Sequence, residues 1–333
     1  NSFNMLMRIR IFTLLCLYLG TLSSCFSERP LDRVQFLMGT HARIVLYDGT
    51  NDDIDNAFSK MRYLEGLMSD YDQKSELSRI NRYAGKNLVD ISNELKEVLE
   101  ISIEVARETE GAFDPTIGAL TIGFYGFGRE YPTPRKFTGL NEVKKLVDYR
   151  LLSLHDNEAF LEKEGMMLDL GGIGKGFAVD KAVDLLKKRG ITKGSVSISG
   201  DLRVFGDDQI IYVKHPRREG FIASFTNGGK DLSVSTSGDY ERKVKVGGKG
   251  YHHILVPEVG SSGTDFQSIT LVMEGNSALT DAYSTALFAM GRKRAINFLE
   301  NHSMVGAFIV FSDGGIFYNE TFEQLVKEFR LIN

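Results

Sequence analysis

The sequence predicts an α+β fold, with a mostly antiparallel sheet meander flanked by helices. Three observations predict it. Helical apolar spacing dominates the first half and returns near the C-terminus. Between those regions lies a series of short β-prone runs with no helix between them. Much of the glycine, 34 residues against only 6 prolines, marks the turns of that β-rich part. Runs that follow one another through tight turns pair antiparallel, whereas parallel pairing requires a helix-length crossover.

In chain order, residues 33–46 are rich in Val, Ile and Phe and read as a first strand interrupted at Met38-Gly39-Thr40. Ile54, Ala57, Phe58, Met61, Leu64, Leu67 and Met68 recur at helical spacing over 52–68, with Asn51 or Asp52 as cap. A second helix is expected over 92–110, capped by Ser92 and stopped by Gly111. Shorter helical segments follow at 141–147 and 176–189. The β-prone runs are 195–205, 209–214, 221–225, 232–237, 240–246, 253–256 and 268–273, separated by turns such as Asn227-Gly-Gly229. A helix pair over 277–290 and 292–302 precedes a hairpin at 307–311 and 315–318. No repeat or Pro-rich linker divides the chain, so residues 25–333 read as one domain.

At 333 residues, 42% hydrophobic and 25% charged, the composition is that of an ordinary folded protein, not of a disordered one. A formal charge of −4 supplies no positive field for nucleic acid. Residues 1–24 contain no acid, and Arg8 and Arg10 precede the apolar run 11–19. This is the layout of an export signal, and the run is shorter than the about 20 residues of a transmembrane helix. Leu22-Ser-Ser-Cys25 then resembles a bacterial lipoprotein box, which makes Cys25 the expected lipid-bearing residue. Both cysteines, Cys16 and Cys25, are thereby accounted for, and a catalytic thiol is excluded.

Three segments carry candidate chemistry. Leu168-Asp-Leu-Gly-Gly-Ile-Gly-Lys-Gly-Phe-Ala-Val-Asp180 runs from a strand end through four glycines into a helix. It fits either a phosphate cradle at a helix N-terminus or a tight structural turn, and it is neither a P-loop nor a clean dinucleotide fingerprint. Asp281 and Thr285 stand at i and i+4 on one helical face. Their oxygens suit Mg²⁺, while a solvated Asp beside a Thr bonded back to the helix is the plainer reading. The third segment is Thr236-Ser-Gly-Asp-Tyr-Glu-Arg242 followed by Tyr251-His-His-Ile-Leu-Val-Pro-Glu-Val-Gly260, where a histidine beside a turn can act as base or orient a ligand, while a structural histidine is the plainer reading.

Taken in order, these segments resemble the ApbE family, the FAD:protein FMN transferases. Met38-Gly39-Thr40 resembles the family's opening signature, Tyr71 through Asn81 its second and Phe113-Asp-Pro-Thr-Ile-Gly118 its third. Asp169 through Gly176 matches the glycine segment, Ser237-Gly-Asp-Tyr240 the serine-glycine turn, His253-Ile254 the histidine strand, and Asp281 with Thr285 the metal helix. The resemblance implies Mg²⁺-dependent transfer of FMN from FAD to a Thr or Ser hydroxyl of a target protein, with release of AMP. It implies that Met38, Tyr71, Ala112, Phe113, Asp114, Asp169 and His253 line the FAD site. The metal ligands it implies are Gly172, by its carbonyl, Asp281 and Thr285. His253 and Asp281 are then the catalytic residues, with His253 the candidate for taking up the acceptor hydroxyl proton.

The sequence departs from the family pattern at Gly174, where Ala is usual, and at Ser199, where Gly is common. Val256 and Glu258-Val259 alter the second shell of His253, and Phe124-Tyr-Gly-Phe127 lacks a Trp. Two alternatives are an FAD pyrophosphatase that uses water as acceptor and a non-catalytic flavin-binding lipoprotein. The expected location is the extracytoplasmic face of a bacterial membrane, with a subunit of a membrane redox complex as acceptor.

Overall fold

The computed structural model describes residues 29–127, 139–240, 243–246 and 248–332, so the export signal and Cys25 lie outside the described residues. Its core is an eight-stranded sheet: β1 (Leu31–Leu37), β2 (Thr40–Leu46), β3 (Gly194–Ile198), β4 (Asp201–Phe205), β5 (Leu232–Gly238), β6 (Phe266–Glu274), β7 (Gly306–Phe311) and β8 (Ile316–Tyr318). Spatial order equals chain order, and every neighbouring pair is antiparallel. The α+β antiparallel meander is therefore the architecture, and the other elements are inserted between consecutive strands, apart from residues 320–331, which follow the last one.

The helices are α1 (Asn51–Met68), α2 (Glu76–Tyr83), α3 (Asn93–Glu108), α4 (Leu140–Lys144), α5 (Gly174–Lys188), α6 (Ser277–Met290), α7 (Arg292–Asn301) and α8 (Glu320–Leu325). The cap of α1 is Thr50, one residue before the expected cap, in a reciprocal capping box with Asp53. Ser92 caps α3 as expected. Alternation sorts β7 cleanly: Ala307, Ile309 and Phe311 join the large core under the helices, while Phe308 and Val310 face a second core. That second core is closed by a three-stranded sheet of residues 210–214, 221–226 and 327–331.

Several expectations change. The interrupted first strand is a hairpin, because Met38 (φ 52°) and Gly39 (φ 72°) form a two-residue turn with both φ angles positive. The run 195–205 is likewise two strands folded back at Ser199-Gly200. Runs 209–214 and 221–225 leave the main sheet because their apolar faces are needed on its far side. His253 lies at a bend between the strand Lys249–His252 and the short strand Leu255–Val256, not within a strand. The segment 68–81 contains α2, whose two buried apolar residues, Leu77 and Ile80, give too short a periodic signal to read.

Ser199 is exposed and sits at φ 53°, which explains why Gly is common at this turn. A non-glycine residue in this region carries a backbone cost of order 1 kcal/mol. Ser199→Gly keeps the amide that donates to the His41 carbonyl (3.1 Å) and should raise unfolding stability by about 0.5–1 kcal/mol in urea. A lower midpoint would dismiss the strain account.

Candidate functional site

The glycine segment is pinned by the other segments that the sequence singles out. The Asn81 side chain bonds both backbone groups of Leu168, accepting from its N–H (2.6 Å) and donating to its carbonyl (3.0 Å). Asp169 accepts the Thr121 hydroxyl (2.6 Å) and the Gly171 N–H (2.8 Å), and its own N–H donates to the Pro115 carbonyl (2.9 Å). The chain thus turns tightly before entering α5.

Glycine at 172 and 176 lets α5 close on α6. A Cβ on Gly176 would lie 2.1 Å from the Ser277 carbonyl oxygen and 2.8 Å from Asp281 Cβ; one on Gly172 would lie 3.0 Å from Thr285 Oγ1. No side chain fits at Gly176 without moving backbone. The approach sets Gly172 against Thr285 and Gly176 against Asp281, one turn earlier on α6. Asp281 is 3% exposed, which removes the solvated-Asp reading.

The Asp281 carboxylate accepts the Gly176 N–H (3.0 Å) and faces the Lys175 ammonium at 3.2 and 3.3 Å. The same ammonium lies 3.0 Å from the buried Asp201 and 3.2 Å from the Gly171 carbonyl. Burial, then the neighbouring Asp201 charge, pushes the Asp281 carboxyl up to about 7, against the pull of Lys175. A buried carboxylate in this state is stabilised by any cation at its oxygens. Among the described residues no three His, Cys, Asp or Glu side chains gather as a metal-binding group. The carboxylates gathered at this point are the pair Asp281 and Asp201, both on the Lys175 ammonium.

Helix α6 is fixed to the sheet by a polar seam. Ser233, Ser235 and Ser237, alternate residues on one face of β5, bond the hydroxyls of Ser277 (2.9 Å), Thr280 (2.8 Å) and Ser284 (2.7 Å). Asp180 of α5 caps the helix by accepting the N–H groups of Ser277 and Ala278, both at 2.9 Å. The nearly buried Arg203 holds Asp180 at 2.9 Å and Asp231 at 2.8 Å.

The remaining candidates divide into two groups. Met38 lies beside the glycine segment, since a Cβ on Gly174 would sit 3.8 Å from its Cε, and its strained backbone donates to Glu65 (2.7 Å). Ala112 and Phe113 are buried, and Tyr71 is half exposed where the chain approaches α2. Asp114 is spent on its own loop, accepting from the Thr116 N–H (2.8 Å) and hydroxyl (2.6 Å) and the Tyr149 N–H (2.9 Å); burial pushes its carboxyl up to about 6. His253 is half-buried next to His252, whose ring bonds the Gly263 carbonyl (2.7 Å) and meets the Phe288 ring edge-on at 5.5 Å. Phe288 lies one turn beyond Thr285. Tyr125, in the Trp-lacking segment, bonds the Gly260 carbonyl (2.7 Å) and packs on Tyr251, so that segment braces the histidine bend.

The phosphate-cradle reading of the α5 N-terminus changes. The N–H groups of Ile173 and Gly174 go to the Leu170 carbonyl (3.2 and 2.7 Å), that of Gly171 to Asp169 and that of Gly176 to Asp281. These four amides are already committed, which supports the tight-turn reading for that part of the segment. Sequence reasoning missed Asp180, Asp201 and the environment of Lys175. No spacing rule links residues that meet only when the sheet closes, although Lys175 and Asp180 stand inside the glycine segment itself.

A model of the ApbE family matches residues 38–309. The chain belongs to the ApbE family. An FAD:protein FMN transferase of Treponema pallidum (strain Nichols) is 28% identical over 335 residues, covering 91% of each chain. One of Klebsiella pneumoniae (strain 342) is 28% identical over 282 residues, covering 82% of this chain and 87% of that one. Among solved structures, the ApbE protein of Thermotoga maritima superposes with a TM-score of 0.79 at 29% identity, covering 90% of this chain and all (100%) of that one. The flavin transferase ApbE of Vibrio cholerae shares the fold at a TM-score of 0.78 and 24% identity, over 89% of this chain and 99% of that one. Membership of the ApbE family places the chain among transferase enzymes. No described helix is long and apolar enough to cross a membrane.

The glycine contacts separate two neighbouring substitutions. A Cβ on Gly174 meets Met68 at an ordinary 3.7 Å, so Gly174→Ala should hold or raise stability, by up to about 1 kcal/mol. Gly176→Ala should lose at least about 2 kcal/mol through overpacking. Equal denaturation midpoints for the two variants would contradict the close approach.

Proposed function

We propose that the protein transfers FMN from FAD to a Thr or Ser hydroxyl of an acceptor protein, with AMP as leaving group. The observation that carries this reading is the buried Asp281 beside Gly172 and Thr285, in a chain whose relatives bear the name FAD:protein FMN transferase. The acceptor oxygen forms a bond to the FMN phosphorus, the pyrophosphate bond to AMP breaks, and the hydroxyl proton must leave. Gly172, Asp281 and Thr285 are the residues that would hold Mg²⁺, which when bound neutralises charge on the phosphoryl oxygens.

Within this reading Met38, Tyr71, Ala112 and Phe113 supply the flavin-side wall. Asp169 and Asp114 keep the glycine segment and its neighbouring loop in shape through the bonds described above. His253, on a bend braced by Tyr125 and Phe288, takes the acceptor proton. The reading extends to location: Arg8, Arg10 and Leu22-Ser-Ser-Cys25 support a lipoprotein at the extracytoplasmic membrane face. An acceptor among the subunits of a membrane redox complex is consistent with that address.

Incubation with FAD, Mg²⁺ and a candidate acceptor should give a flavin-fluorescent acceptor band on a denaturing gel. Asp281→Ala should reduce labelling more than about 100-fold, the scale of losing a charge-stabilising group, while its circular dichroism stays native. Free FMN without a band would indicate hydrolysis, bound intact FAD would indicate storage, and full activity in the variant would remove Asp281 from the site. For location, Cys25→Ser should move the protein from the membrane to the soluble fraction; unchanged fractionation would refute the lipid anchor.

A further inference from the structure

Lys175 occupies a place that none of the site roles above uses. Its ammonium is surrounded by four oxygens: Asp201 Oδ2 at 3.0 Å, Asp281 Oδ2 at 3.2 Å and Oδ1 at 3.3 Å, and the Gly171 carbonyl at 3.2 Å. Three of these belong to negatively charged side chains that are 2–3% exposed, and the fourth is the carbonyl next to that of Gly172. A cluster of this composition is an oxygen cage for a cation, and the cation already in it is covalently part of the chain. The side chain keeps 24% of its surface exposed, so it has a way out.

We propose that Lys175 is a built-in competitor for the divalent cation, its ammonium neutralising Asp201 and Asp281 in the metal-free protein and leaving Asp281 when the metal binds. This rests on the metal site of the proposed function. The two Asp281 oxygens face the ammonium, and Oδ2 also holds the Gly176 N–H, so a hard cation that draws on both oxygens competes with Lys175 for them. Asp201 stays within reach and retains the displaced lysine.

Charge explains what the exchange accomplishes. Two carboxylates and one ammonium leave the closed cage with a single net negative charge, which repels a pyrophosphate. With a dication bound and the lysine retained by Asp201, the same group of charges would carry a single net positive charge. The exchange would therefore turn a site that repels a pyrophosphate into one that attracts it. The cost of displacing Lys175 appears as weakened metal affinity, because the apparent Kd rises as the fraction of competent protein falls.

The test uses the full chain without FAD and Mn²⁺ as an EPR-visible stand-in for Mg²⁺. Lys175→Gln should bind Mn²⁺ at least about ten-fold more tightly than the wild type, and Lys175→Arg should not gain. Equal or weaker binding by Lys175→Gln, with the wild type still binding, overturns the competitor role and leaves the metal site standing. Binding by none of the three overturns both. A readout on the wild type covers the case in which the variants fail to fold. Acetic anhydride labelling of Lys175, followed by mass spectrometry, should accelerate several-fold on saturation with Mn²⁺, and an unchanged or slower rate overturns the displacement.

Discussion

The space in which a side chain at position 176 would stand is filled by the Ser277 carbonyl and the Cβ of Asp281. Nearly everything distinctive about the site depends on that contact. Because α5 and α6 touch backbone to backbone there, Asp281 is lifted out of water, receives the Gly176 N–H and meets Lys175 and Asp201 in a medium where charges interact strongly. A larger residue would separate the helices, admit water and dissolve the constellation. The glycine-rich segment is thus first a packing device, and its chemistry follows from how closely it packs.

A helix held at so close a distance must also be held in register. An apolar interface tolerates sliding, because one methyl group substitutes for another. The three hydroxyl pairs between β5 and α6 do not, since moving one residue would leave buried oxygens unpaired at about 1–3 kcal/mol each. The Asp180 cap fixes the start of the helix, and Arg203 fixes Asp180. Asp281 and Thr285 inherit their positions from this polar framework.

The framework shows what is legible in the chain and what is not. The i, i+4 spacing of Asp281 and Thr285 correctly places both on one face, α1, α3, α6 and α7 are where the sequence expects helices, and the cap is read correctly at α3. The meander follows from runs of β-prone residues joined by turns. Two runs that look the same as their neighbours, 209–214 and 221–225, nevertheless build a separate sheet. A half-buried strand carries the same alternation whichever layer it joins, so sequence alone cannot assign the layer. Lys175, Asp180 and Asp201 escaped for a related reason: they are single charges in separate segments, and only the closed fold brings them together around α5 and α6. The departures at Gly174 and Ser199 have local explanations in an open methyl-sized contact and a positive φ.

The sheet keeps its strands in chain order, yet the two halves of the site are 105 residues apart in sequence at the Gly176–Asp281 bond. Between α5 and α6 in the chain lie β3, β4, β5 and β6, so their contact closes a long loop. A ligand that spans α5 and α6 accordingly behaves as a cross-link between distant parts of the chain, and its binding energy is felt as resistance to global unfolding rather than as the ordering of one loop.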